Sequence, residues 1–128
     1  MADRKMRVLI VDDANLVRLH YRQVLEEAGF EVEEALNGLE GLEKLLVGPL
    51  DALIVDINMP RTDGVTFLSA LRRQALPLSS IPAFVISTES SAGDVQAARA
   101  AGANFYRAKP IGREDLGRIM AMFCGAPR

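Results

Sequence analysis

The sequence has a single cysteine, Cys124, so it holds no disulfide framework and no cysteine-based zinc site. One thiol in a chain of this size points to a reducing compartment, and the cytoplasm is the expected location. Long apolar runs are also missing. The strongest, residues 8–11, 52–55 and 83–86, are far too short to span a bilayer or to form a signal-peptide core. There is no excess of basic charge either: 15 Lys+Arg stand against 17 Asp+Glu, for a formal net charge of −2 and a pI near 5.4. Nucleic-acid binding usually needs the opposite balance. Neither a membrane nor a nucleic acid is therefore expected as a direct partner.

What remains is the profile of an ordinary globule, 49% hydrophobic and 25% charged over 128 residues. Chains divide into separate cores only well beyond this length, so residues 1–128 read as one domain. Short β-branched runs alternate with longer helical patterns, the signature of a parallel sheet wrapped by helices. The strand candidates are residues 6–11, 31–35, 52–56, 83–87 and 104–108. The first, third and fourth are almost wholly apolar, as strands covered on both faces are, whereas Phe30, Glu31, Val32 and Glu33 alternate as an edge strand does.

Helical spacing fills the intervals. Val17, Tyr21, Val24, Leu25 and Ala28 mark a first helix, with Gly29 as its stop. Asn37 and Glu40 form a capping-box pattern ahead of Leu39, Leu42, Leu45 and Leu46, and Gly48-Pro49 closes that helix. A third helix covers residues 64–73, and a fourth starts at Ser91 with Asp94 and stops near Gly102. The fifth covers residues 114–123, where Leu116, Ile119, Met120 and Phe123 read as core. Right-handed crossovers then give an α/β (βα)₅ doubly wound parallel sheet of flavodoxin-like order 2-1-3-4-5.

Ligands in such sheets sit at the carboxyl ends of the strands. The residues there are Asp12 and Asp13, Asp56, Ser87 and Lys109. Ionised carboxylates crowded together repel one another, which calls for added protons or for a hard divalent cation, and oxygen ligands select Mg²⁺. Because Mg²⁺ commonly combines one or two carboxylates with phosphate oxygens, the cluster suits a site that handles a phosphoryl group. Lys109 offers a positive charge to phosphate oxygens, the Ser87 hydroxyl offers a donor, and a carboxylate there can itself be the nucleophile. Singly, each residue has a blander reading: Asp13 as the cap of the first helix, Asp56 as a strand end and Lys109 as a solvated side chain. Their convergence on one rim weighs against all three.

Over its whole length the chain resembles a response-regulator receiver domain of the CheY type. The resemblance rests on Val8-Leu9-Ile10-Val11-Asp12-Asp13, on Asp56-Ile57-Asn58-Met59-Pro60-Arg61-Thr62-Asp63-Gly64, and on Lys109-Pro110. It implies that Asp56 accepts a phosphoryl group from a sensor histidine kinase or a histidine phosphotransfer protein. Asp13, Asp56 and the Asn58 backbone carbonyl would then hold Mg²⁺ with Asp12 contributing through water, Lys109 would pair with the phosphoryl group, and the bond before Pro110 would be cis. Ser87 and Tyr106 match the switch pair that remodels the surface of the fourth helix, fifth strand and fifth helix for a downstream target. For Tyr106 the plainer alternative is a half-buried aromatic on an edge strand.

Asn58 and Glu89 resemble the pair that positions water in fast-hydrolysing chemotaxis receivers, while Thr88 departs from the small residue usual there. On this reading the chain is no independent enzyme, its chemistry being self-phosphorylation and autodephosphorylation. An aspartyl-phosphate hydrolase would need a second Asp where Asn58 stands, and a flavin module would meet phosphate-repelling charge at Asp12 and Asp13. Because Arg128 follows the fifth helix closely, a stand-alone regulator, in chemotaxis or as a phosphorelay intermediate, is expected, with a truncated receiver as the alternative. Asn15, Leu16 and Arg18 are candidate kinase contacts. His20 reads as a surface residue, and Cys124 as an incidental thiol.

Overall fold

The computed structural model describes residues 6–56, 64–76, 78–87, 92–108 and 111–124. Strands β1 (Arg7–Val11), β2 (Glu31–Ala35), β3 (Ala52–Asp56), β4 (Ala83–Ser87) and β5 (Phe105–Ala108) form one parallel sheet in the order β2-β1-β3-β4-β5. Helices α1 (Asn15–Glu27), α2 (Gly38–Leu45), α3 (Gly64–Arg72), α4 (Ala92–Ala101) and α5 (Arg113–Cys124) connect and flank the strands, with a 3-10 turn at Leu78–Ser80 before β4. The expected order and element types hold; boundaries differ by a residue or two. Met6, Arg73 and Asn104 fall outside their elements, and α5 extends one residue further at each end.

The two-sided burial of the central strands is what their continuous apolar runs demand. Val8 and Ile10 face Tyr21, Val24 and Leu25 of α1 and Leu116, Ile119 and Met120 of α5. Leu9 and Val11 face the other layer, Leu45 of α2, Phe67, Leu68 and Leu71 of α3, and Ala98 and Ala101 of α4. β2 is an edge strand, as its alternation predicts. Val32 and Ala35 are buried, while Glu31 and Glu33 pair with Arg7 of β1 at 3.1 and 2.8 Å.

Both α1 and α4 end in the same way. Gly29 and Gly102 take left-handed φ values of 98° and 111°. In each case the next amide turns back to the helix, Phe30 to the Leu25 carbonyl and Ala103 to the Ala98 carbonyl, both at 2.9 Å. α2 starts on the expected cap, the Asn37 side chain accepting from the Glu40 amide at 2.9 Å, while Glu40 Oε1 accepts from the Leu36 amide.

The inward face of α2 differs from the leucine pattern. Leu39 and Leu46 are 60% and 77% exposed, and the buried positions are Gly38, Gly41 and Leu45. Gly41 lets the helix approach Phe67 and Val11 closely, which rotates the buried stripe onto the glycines and leaves two leucines in solvent.

Candidate functional site

Register builds the site. In the β1–β3 ladder Val11 lies opposite Val55, so the next residues, Asp12 and Asp56, emerge side by side at the carboxyl rim. α1 packs on one face of the sheet and α3 on the other, which opens a crevice where β1 and β3 meet. Asp12 and Asp56 are buried and Asp13 is exposed, and carboxylate oxygens of the three lie within 4.8 Å of one another. An all-oxygen, all-anionic donor set of this kind suits a hard cation such as Mg²⁺, so the residues fit the ion that the sequence calls for.

The loop bearing the two carboxylates is pinned at Asp12. Its amide donates to the Ala35 carbonyl at 3.1 Å, continuing the β1–β2 ladder by one residue, and its Oδ1 accepts from the Ala14 amide at 2.9 Å. Asp13 does not cap α1. The N-cap is Ala14, with no side-chain cap, so the first of the blander readings fails. Asp13 is left in solvent beside the other two carboxylates.

Two further residues underlie the rim. Tyr21 is 3% exposed; its burial pushes the phenol well above its ordinary range, and the negative charges of Asp12 and Asp56 push in the same direction. Arg18 is 7% exposed, which removes it from the candidate kinase contacts. It turns inward because it shares an i, i+3, i+7 stripe with Tyr21 and Leu25, a spacing visible in the sequence. Its Nη1 donates to the Asp12 carbonyl at 2.6 Å, its Nε donates to Glu34 Oε1 at 2.9 Å, and its Nη2 donates to Asn15 Oδ1. Burial alone would raise the Glu34 carboxyl, but hydrogen bonds from Arg22 and Arg18 outweigh it and hold the group below the usual range. Asn15, Leu16 and His20 are exposed as anticipated.

Ser87 ends β4 opposite Ala108, the last residue of β5, so its backbone reaches the same rim. The Ser87 side chain lies outside the described residues, as do Asn58, Thr88, Glu89, Lys109, Pro110 and the side chain of Cys124. Tyr106 of β5 is half-buried and packs against the core layer of α3 and α4. It also helps to line a cavity of about 260 Å³ with Val95 and Arg99 of α4 and with Phe105.

Comparisons with known proteins bear on this arrangement. The family model for the response regulator receiver domain matches residues 8–121. The transcriptional regulatory protein PrrA of Mycobacterium tuberculosis is 38% identical over 117 residues, covering 91% of this chain and 49% of PrrA. The chain thus spans about half the length of the curated relatives it matches. Among solved structures, the chemotaxis protein CheY4 of Vibrio cholerae superposes with a TM-score of 0.87 at 33% identity, over 94% of this chain and 99% of that one. The receiver domain of a sensor histidine kinase from Pseudomonas aeruginosa PAO1 shares the fold with a TM-score of 0.87 at 24% identity, over 96% of this chain and all of that one (100%), and is described with a magnesium ion in its active-site cleft. Among the described residues no helix is long and apolar enough to cross a membrane. An acidic trio at the β1–β3 crevice of a 2-1-3-4-5 sheet, a family model that covers most of the chain, and relatives of the same kind lead to one assignment: this chain belongs to the response regulator receiver domain family of two-component signalling.

Proposed function

We propose that this chain is a phosphoacceptor response regulator, with Asp56 as the acceptor and Mg²⁺ as its cofactor. The observation that carries this reading is the placement of carboxylate oxygens from Asp12, Asp13 and Asp56 within 4.8 Å at the carboxyl rim. Asp12, Asp13 and Asp56 would hold the ion, with the Asn58 carbonyl as a further ligand. When bound, Mg²⁺ supplies the positive charge that lets anionic phosphoryl oxygens approach an acidic rim. A carboxylate oxygen of Asp56 attacks the phosphorus of a phosphohistidine, the P–N bond breaks, and the imidazole leaves with its electron pair, yielding an acyl phosphate. Lys109 then pairs with the phosphoryl oxygens.

The partners on this reading are a sensor histidine kinase or histidine phosphotransfer protein upstream and a target protein downstream. Charge added at Asp56 biases Ser87 and Tyr106, and a target that prefers the switched α4–β5–α5 surface sees a shift in population. Tyr106 is suited to this because it borders both the core and the cavity beside α4. Asn58 and Glu89 set the lifetime by positioning water, the chemistry of the domain is confined to self-phosphorylation and autodephosphorylation, and its place of action is the cytoplasm.

The test is incubation with a small acyl phosphate donor and Mg²⁺, followed by intact mass and peptide mapping. One added phosphoryl group on Asp56 is expected, lost in Asp56→Asn and on chelation. Modification at another residue, or uptake that survives both changes, overturns the assignment.

A further inference from the structure

Arg18 is a buried cation one helical turn inside α1, and none of the roles above uses it. We propose that Arg18 is a positioning residue for the acidic rim, bracing the Asp12 main chain against β2 and thereby setting the carboxylate spacing that Mg²⁺ requires. The proposal rests on the metal reading given under Proposed function.

The geometry is that of a strut. β2 grips Asp12 twice, through the Ala35 carbonyl that accepts the Asp12 amide and through Glu34, whose carboxylate holds the Arg18 guanidinium. Arg18 in turn donates to the Asp12 carbonyl at 2.6 Å. Both main-chain groups of Asp12 are thus engaged, while its side chain fastens the next turn at Ala14. The three acceptors of Arg18 lie on the loop, on β2 and on α1 itself, and each is served by a different nitrogen. A planar fork with five fixed donors can do this, and a lysine ammonium cannot reach three such directions at once. Glu34 is itself steadied by Arg22 at 2.6 Å, so the strut has a fixed foot.

Charge alone argues for the opposite effect. A guanidinium this near the rim repels a divalent cation, so a purely electrostatic role predicts tighter Mg²⁺ binding when the charge is removed. A bracing role predicts weaker binding whether or not the charge is kept, because residues that orient metal ligands typically change affinity by about 10- to 100-fold.

The experiment compares wild type, Arg18→Lys, Arg18→Met and, as a destabilised control in the other core layer, Ile81→Val. Mg²⁺ is titrated calorimetrically at neutral pH, and amide exchange at Ala14 is followed in the metal-free protein. Both Arg18 variants are expected to bind Mg²⁺ about tenfold more weakly and to exchange the Ala14 amide at least about tenfold faster, with the control unchanged in both. An affinity for Arg18→Lys equal to wild type, tighter binding by Arg18→Met, or unaltered Ala14 exchange overturns the proposal. Should Arg18→Met not fold, Arg18→Lys decides. Absence of Mg²⁺ uptake by wild type sinks the metal reading and this proposal with it, whereas uptake insensitive to Arg18 sinks this one alone.

Discussion

Gly41 of α2 faces the ring of Phe67 in α3 with no room for a side chain: a Cβ there would stand 2.9 Å from Phe67 Cε1 and 3.2 Å from Val11 Cγ2. Phe67 and Val11 are both fully buried, so neither can swing into solvent to make space. Gly41→Ala gains up to about 1 kcal/mol of helix propensity. Overpacking a filled core costs about 1–3 kcal/mol, and here it meets an aromatic ring and a β-branched side chain at once. A net loss of about 1 kcal/mol is expected, read as a lower denaturant midpoint with an unchanged slope.

Arg72 and Gly102 form a second tight pair. Arg72 Nε and Nη2 donate to the Gly102 carbonyl at 3.0 and 2.6 Å, and a Cβ on Gly102 would lie 2.5 Å from Arg72 Cγ. The φ of 111° strains any L-residue there independently of space. Gly102→Ala is therefore expected to cost about 2 kcal/mol, part from backbone strain and part from displacing Arg72. A double-mutant cycle with Arg72→Ala separates the two: the double variant should lose less than the sum of the singles by about 0.5 kcal/mol or more, because only one of them can disrupt the shared contact. Strict additivity in chemical denaturation would show that the strain acts alone.

These contacts mark where the sequence stops being readable. Val8 to Val11 and Ala52 to Val55 announce themselves because a strand buried on both faces has no polar position to blur the run. Asp12 and Asp56 follow directly, since a carboxylate right after such a run has to stand at the strand's end. Arg18 was harder to read. Its side chain is charged, and charge is ordinarily a mark of the surface, so a reading by residue type places it in solvent although its spacing with Tyr21 and Leu25 puts it on the buried stripe. Leu39 and Leu46 failed in the opposite sense: periodicity locates a face but not the close approach of Gly41 to Phe67 that rotates it. The turn ahead of α1 is closed by a bond from the Ala14 amide to Asp12, and Asp13 does not cap the helix, a choice between adjacent acids that composition does not resolve.

Tyr21 supplies the pH dependence. Its phenol is held above its ordinary range by burial first, and then by the charges of Asp12 and Asp56. An unfolded tyrosine ionises near pH 10, whereas the folded one keeps its proton to higher pH. The folded state then binds the extra proton, so the contribution is fully present below about pH 10 and is lost as pH rises toward the folded value. Tyr21→Phe has no phenol to ionise. Between pH 10 and 11.5 wild-type stability should fall more steeply than that of Tyr21→Phe, the difference growing toward a limit of about 1.4 kcal/mol per pH unit, with parallel curves below pH 9. Chemical denaturation at fixed pH steps measures both slopes. Equal slopes across the alkaline range would mean that Tyr21 ionises as freely in the folded chain as in the unfolded one, and would overturn burial, and with it the nearby carboxylate charge, as an influence on the phenol.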